Sequence, residues 1–400
     1  MKKNFVISGT GCALVDYLYQ PVDFDSKEFE RYLSQSPGDG GLSPGKLVFT
    51  EELEKFVGQP YSLIRAQITK GKPPVGVNTG GPSIVSLIHV AQMLHNKSAE
   101  VYFSGARGND AAAKVIEEKI KKTPLKTANY KISERFTPFT DVLGDPGYDH
   151  GHGERAFINN IGAAWDFKPE DLPETFFESD MVVFGGTALV PHIHQNIDSL
   201  LQKAKSKGII TVVNTVYDFI NEKNNPSKPW PLGQKENAYP LIDLLITDRE
   251  EALRHSGCAT AQEALEWFAG QGAGAAIITQ GPEDVLFYAN SDLFERQSYT
   301  VLPVSERAKT EVKQQVENPE GDTTGCGDNF TGGVIASLAD QIITDPSCGK
   351  FNLKEAVALG VASGGFACFF HGGTLLEDYP GQKAEKLGAY HKDYLQQLSR

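Results

Sequence analysis

No stretch of this chain approaches the ~20 consecutive apolar residues that cross a membrane as a helix, so a membrane role is not expected. The five cysteines, Cys12, Cys258, Cys326, Cys348 and Cys368, are odd in number and include no C-x-x-C pair. A disulfide framework and a zinc knuckle are therefore not expected, and a reducing, cytoplasmic location fits. Positive charge is short as well: 38 basic against 51 acidic residues leave a net charge of −13. Such a surface repels a phosphate backbone, which argues against nucleic acid as a partner. No G-x-x-x-x-G-K-[ST] loop occurs. Gly9-Thr10-Gly11 opens a dinucleotide fingerprint whose third glycine is Leu14 instead. No internal repeat, low-complexity tract or linker divides the chain, so a single domain over residues 1–400 is expected.

What is present is a globular composition, 40% hydrophobic and 22% charged, with 40 glycines and 22 prolines that imply many turns and backbone-lined sites. Met1-Lys2-Lys3 before an apolar run mimics a signal peptide, but Gly9, Gly11 and Asp16 interrupt the run. Phe5 to Ser8 reads as a buried first strand entering a turn at Gly9-Thr10-Gly11. Val101–Phe103, Met181–Phe184, Ile209–Val213, Leu244–Ile246 and Ala275–Ile278 are compact apolar runs, separated by helical patterns such as Ile193–Lys205 and Ala261–Ala269. Buried strands alternating with helices predict a three-layer α/β/α fold around a mainly parallel sheet. Residues 21–78 break that rhythm, with one helix expected near Glu51–Phe56. Residues 128–162 break it again. Segments 15–60 and 128–162 are read as a small β lid.

The segment Asp322-Thr323-Thr324-Gly325-Cys326-Gly327-Asp328-Asn329-Phe330 carries the chemistry. After it, Phe330, Val334, Leu338 and Ile342 recur every four residues, the buried stripe of a helix. The glycines thus stand at a helix N-terminus. There the first N–H groups have no internal partner, glycine lets them converge, and the helix dipole favours negative charge. Such a turn can hold an anion or the charge of a transition state. A carboxylate at Asp328 is placed to accept a proton from an attacking hydroxyl, although an Asp at a helix start is by itself usually a cap.

This segment resembles the second signature of the ribokinase-like, or PfkB, carbohydrate kinase family, D-T-T-G-A-G-D-S-F, with Cys326 for Ala and Asn329 for Ser. The resemblance implies Asp328 as catalytic base and the backbone of Gly325, Cys326 and Gly327 as anion hole. Gly9 to Asp16 resembles the family's opening strand, which implies Asp16 as a substrate-hydroxyl ligand. Gly80-Gly81 before a helix is similar to the first signature, where backbone meets sugar. Phe103–Asp110, the lid strand Glu154–Phe157 and Thr279-Gln280-Gly281 also match, the last implying nucleotide contacts from Thr279 and Gly281. The likeness runs over roughly residues 4–375. It implies a ribokinase-like fold and transfer of the γ-phosphoryl group of ATP to a hydroxyl, with Mg²⁺ held through water by Glu250. A K⁺-type cation at Asp322 and Thr324 is a further candidate. A negative surface does not oppose this, because Mg²⁺ and backbone N–H groups hold phosphates without basic side chains. A homodimer is the one protein partnership to consider.

Three departures bear on the substrate. Val85 stands where the family has a sugar-binding Asn, Thr247 where N-x-x-E has Asn, and Asp284 where T-x-G-x-x-G has its last Gly. A carbohydrate kinase, a nucleoside kinase and a catalytically idle sugar- or nucleotide-binding protein all stay open. An intact Asp328 argues against the third. Phe49, Phe56 and Tyr61 are available in the lid to stack on a base. His150/His152 and His192/His194 are two apart, not at metal-pair spacing, and are read as solvated loop residues. The Cys326 thiol is read as a small side chain whose N–H matters.

Overall fold

Successive residues of the apolar runs bury in two opposite cores. Met181 and Val183 join one, Val182 and Phe184 the other; Leu244 and Ile246 join one, Leu245 the other. A strand covered on both faces has no polar face to show, which is why these runs lack alternation. The computed structural model describes residues 4–36, 38–151, 154–234, 237–314, 321 and 323–400. The strands among them are β1 (Phe5–Gly11), β2 (Leu14–Tyr19), β3 (Leu47–Phe49), β4 (Gly76–Gly80), β5 (Ala99–Arg107), β6 (Lys126–Ile132), β7 (Phe139–Asp145), β8 (Glu154–Asn160), β9 (Met181–Gly185), β10 (Ile210–Asn214), β11 (Leu244–Asp248), β12 (Ala275–Gln280), β13 (Glu283–Ala289) and β14 (Gln297–Leu302).

Nine strands form the large sheet in the order β14-β13-β12-β11-β10-β9-β1-β5-β6. Pairing is parallel from β6 through β12 and antiparallel at the β12–β13–β14 edge. One face carries the helices Pro82–Met93, Cys326–Thr344 and Leu353–Ala367; the other carries Ile197–Ser206 and Ala261–Gly270. This is the expected three-layer α/β/α arrangement. No helix among the described residues is long and apolar enough to cross a membrane.

A second sheet has the order β3-β8-β7-β2-β4. Its Tyr17, Tyr19 and Leu143 face packs on the helices Thr50–Val57 and Tyr61–Ile68. Three local expectations need correction. Gly9–Gly11 is not a turn: β1 runs through it. A Cβ at Gly9 would lie 2.5 Å from Leu87, and one at Gly11 1.8 Å from the Gly185 carbonyl, so these glycines serve close packing. Residues 128–132 belong to β6 of the large sheet, while 61–80 contribute a second helix and β4 to the small one. His192 and His194 lie in a short helix, and His194 bonds Thr187 at 2.9 Å and faces Asp218 at 3.4 Å. His152 and the His150 side chain are outside the described residues.

Candidate active site

The helix Cys326–Thr344 starts at Gly325, whose φ of 74° is left-handed. A Cβ there would lie 2.3 Å from the Gly373 Cα, so glycine is needed twice over, for conformation and for space. Buried Phe330, Val334 and Leu338 seat the helix on the core, as the four-residue spacing implied. Gly332 and Gly333 let it approach Ser86 and Ser363 on the flanking helices. The first turn is therefore rigidly set, with Gly327 opening into free space. Asp328 follows it, and burial pushes its carboxyl up to about 6. That is a suitable value for a base working near neutral pH.

The chain turns at Cys12 and Ala13 into β2, which brings Asp16 to the same place. Buried Cys12 has its thiol pKa raised first by burial and then by the carboxylates of both Asp16 and Asp328, so the two acids flank one spot. Gly80 lies against Asp16, where a Cβ would come 2.1 Å from Oδ2; Gly81 lies against Cys12, 2.6 Å from its carbonyl. The strand register places Asn78 opposite Asp16 on one side and Thr140 opposite it on the other. Asn159 faces Thr140 across β7–β8 and donates to its hydroxyl at 2.9 Å. Directly paired residues share a face, so Asp16, Asn78, Thr140 and Asn159 form one polar row. Leu14 and Phe49 sit on the same face and pack with Leu189, Val216 and Phe219. The row therefore looks toward the C-terminal ends of the large sheet's strands, the usual ligand crevice of an open α/β sheet.

On the other side of the crevice, β11 ends at Thr247 and Asp248. Thr279, level with Asp248 on β12, donates to the Thr247 carbonyl at 3.5 Å, and Gly281 takes a left-handed turn with φ 60°. The helix Arg249–Ser256 begins with a reciprocal cap: the Asp248 side chain accepts from the Glu251 N–H at 2.8 Å, and Glu251 Oε2 faces the Asp248 N–H at 3.5 Å. Asp248 and Glu251 thus repeat the three-residue spacing that the sequence reading assigned to Thr247 and Glu250. Glu250 is exposed, its pKa raised by burial, Asp248 and Glu222. Glu251 is buried, accepts from Thr215 and Thr247, and is pushed up to about 8 by burial and by Asp248. Asp248 raises the pKa of both Glu250 and Glu251; Glu251 is spent on the cap and on Thr215, which leaves exposed Glu250 as the carboxylate that fits a water of Mg²⁺ carried in with nucleotide phosphates. Among the described residues no three such groups form a metal cage alone.

Asp322 lies outside the described residues. The Thr324 hydroxyl accepts from Arg155 Nη1 at 3.3 Å. A monovalent cation on Thr324 would stand beside that guanidinium. Arg155, on lid strand β8, was not singled out as a site residue in the sequence because nothing local links it to a turn 169 positions away. Asn78 and Asn159 were missed for the same reason: only strand register joins them to Asp16. Val85, which replaces the family's amide, is buried and wedged against Gly373.

A family model described as pfkB family carbohydrate kinase matches residues 72–378. An adenosine kinase from Schistosoma mansoni in complex with 2-fluoroadenosine superposes with a TM-score of 0.67 at 17% identity, covering 92% of this chain and 96% of that one. A probable sugar kinase protein from Rhizobium etli gives 0.67 at 16%, covering 98% and 100%. The Anopheles gambiae adenosine kinase in complex with a di(adenosine) tetraphosphate gives 0.65 at 21%, covering 92% and 95%. With the glycine turn, Asp328 and the facing Asp16 assembled on this shared fold, and the family model spanning most of the chain, the protein belongs to the pfkB family of carbohydrate kinases.

Proposed function

We propose that the protein transfers the γ-phosphoryl group of ATP to a hydroxymethyl group of a sugar or sugar derivative. The observation that carries this reading is the polar row Asp16, Asn78, Thr140 and Asn159, set near Asp328. Several convergent hydrogen-bonding side chains are what a polyol needs. The Asn159 Oδ1 has no hydrogen-bond partner among the described residues although the residue is 2% exposed, an acceptor that a hydroxyl would satisfy. In place of the amide lost at Val85, Asn78 offers one from the neighbouring strand.

Asp328 takes the proton of the acceptor hydroxyl as it attacks. The N–H groups of residues 325–327 face the transferring group, and the Arg155 guanidinium balances its charge from the lid side. Glu250 would hold Mg²⁺ through water at the nucleotide phosphates, with Thr279 and Gly281 lining the nucleotide side. MgATP, when bound, supplies the phosphoryl group and the leaving diphosphate. Positioning and charge balance do most of the catalysis in such a transfer. The small sheet and the helices 50–57 and 61–68 act as a lid that closes over the acceptor and excludes water. A cytoplasmic location, with all five cysteines as thiols, belongs to the same reading.

A second reading, a nucleoside kinase, rests on one feature. Phe49 of β3 meets Phe219 edge-on, with ring centres 6.1 Å apart, at the apolar end of the row. Two rings there would form a slot for a base. A screen of pentoses, hexoses and nucleosides with MgATP separates the readings. Phosphorylation of sugars without nucleosides is expected; turnover of adenosine with no sugar accepted would replace the first reading by the second.

A further inference from the structure

Asn329 follows Asp328, the proposed base, yet its side chain points away from the crevice into a fully buried polar cluster. Its Nδ2 donates to two backbone carbonyls, Gly325 O and Gly373 O, each at 2.8 Å. Its Oδ1 faces His89 Nδ1 at 2.8 Å and Lys383 Nζ at 2.9 Å. All four hydrogen-bonding positions of the amide are thereby used. The orientation is fixed by chemistry. Carbonyls cannot donate and an ammonium cannot accept, so the amide cannot flip. His89 must then donate through Nδ1, and in the neutral ring Nε2 accepts from Ser363, at 3.1 Å. Burial, reinforced by Lys383, holds its pKa well below the ordinary value, which agrees. Lys383 also donates to Gln92 Oε1 at 3.1 Å, and burial pulls its pKa down to about 7. Sequestering an amine costs free energy, and a simple helix contact would be made more cheaply by an apolar side chain.

The carbonyl that Asn329 grips belongs to the same planar peptide unit as the Cys326 N–H, and in a trans peptide the two point in opposite directions. Gly325 O accepts from both Asn329 N, at 2.9 Å, and Asn329 Nδ2. The Cys326 N–H itself reaches Thr323 O at 3.4 Å. Fixing the carbonyl therefore aims the N–H, and hydrogen bonds weaken steeply when their angle is lost. A serine hydroxyl has one proton and cannot reach both carbonyls, so the exchange of Ser for Asn in this motif is not neutral. We propose that Asn329, braced by Lys383, is a positioning residue for phosphoryl transfer: its amide ties the Gly325 and Gly373 carbonyls together and so directs the Cys326 N–H into the anion hole.

This rests on residues 325–327 being that hole, and the experiment separates the two claims. MgADP is titrated into the full-length protein with and without aluminium fluoride, a mimic of the transferring phosphoryl group. The wild type should bind MgADP more tightly with fluoride present. Asn329→Ser and Lys383→Met should keep MgADP affinity within about twofold yet lose about tenfold or more of the fluoride-dependent gain, the loss expected for one misdirected charge-stabilising donor. In turnover assays the loss should fall on kcat rather than on the KM for ATP. If both variants keep the full gain while only their melting temperatures fall, Asn329 is structural and the proposal is wrong. If the wild type shows no gain, the anion-hole reading fails first and the proposal with it. Should Asn329→Ser not fold, Lys383→Met, which leaves the amide bonds to both carbonyls in place but unbraced, decides on its own.

Discussion

Replacing Asp328 by Asn tests the base against the cap in a single variant. The side chain keeps its size and its place near the helix start but can no longer take a proton. General-base removal typically costs 10²–10⁴-fold, so kcat should fall about 10²-fold or more with little change in KM. Stability should move the other way. The carboxyl stands at about 6 against an ordinary 3.8 because burial disfavours its charge, an interval worth about 3 kcal/mol when fully expressed. The crevice leaves the group partly open to water, and screening there reduces the figure to about 1–2 kcal/mol. For 400 residues the unfolding entropy is about 0.8 kcal/mol per degree, so the variant should melt about 1–2 °C higher at pH 8. A carboxyl raised on folding destabilises the native state above its folded pKa and does nothing below its unfolded one. The gain should therefore be complete above pH 6 and vanish near pH 4. The wild-type rate should rise with pH to a plateau above about 6, and the variant should lack that limb. Steady-state kinetics against pH and differential scanning calorimetry give both numbers. Near-normal turnover, or a lower melting temperature at pH 8, would refute the base and leave Asp328 as a helix cap.

The two glycines of the turn should fail differently. Gly325→Ala, forced into φ 74° against Gly373, should lower the melting temperature as well as activity. Gly327→Val, whose side chain meets open space in the protein, should fold normally and lose transfer; calorimetry beside a kinase assay distinguishes them. Arg155→Met should reduce kcat about tenfold or more with the KM for ATP nearly unchanged, since its guanidinium reaches Thr324 from the lid; unchanged kcat would confine it to lid packing. Arg65→Met strands the buried Asp141 carboxylate, which Arg65 Nε meets at 3.0 Å and Tyr61 supports. The cost should be about 3 kcal/mol, read as faster proteolysis of residues 47–80. In the wild type those residues should gain protease protection when acceptor and MgATP are added together; equal cleavage with and without them would count against closure.

Several parts of this protein were legible from sequence because local chemistry dictates them. A four-residue apolar stripe behind a glycine pair can hardly be other than a helix start, so the Gly325–Asp328 turn and the stripe from Phe330 were readable. Fully apolar runs spaced by helices can only be strands buried on both faces, which predicted the large parallel sheet. Tertiary structure decided what depends on register and on close approach. Asn78, Thr140 and Asn159 join Asp16 only because β4 and β7 pair with β2, and β8 with β7, at one particular offset, and a slip of one residue would turn the whole row to the other face. Gly9–Gly11 suggested a turn from composition, but the contacts of Leu87 and Gly185 across the sheet make it strand. The acidic pair at the start of the Arg249–Ser256 helix was readable only to within one residue, because Glu250 and Glu251 differ in burial and not in kind. Asn329 looked like a small departure from a motif; its meaning came from His89, Lys383 and Gly373, up to 240 positions away, which no local pattern connects.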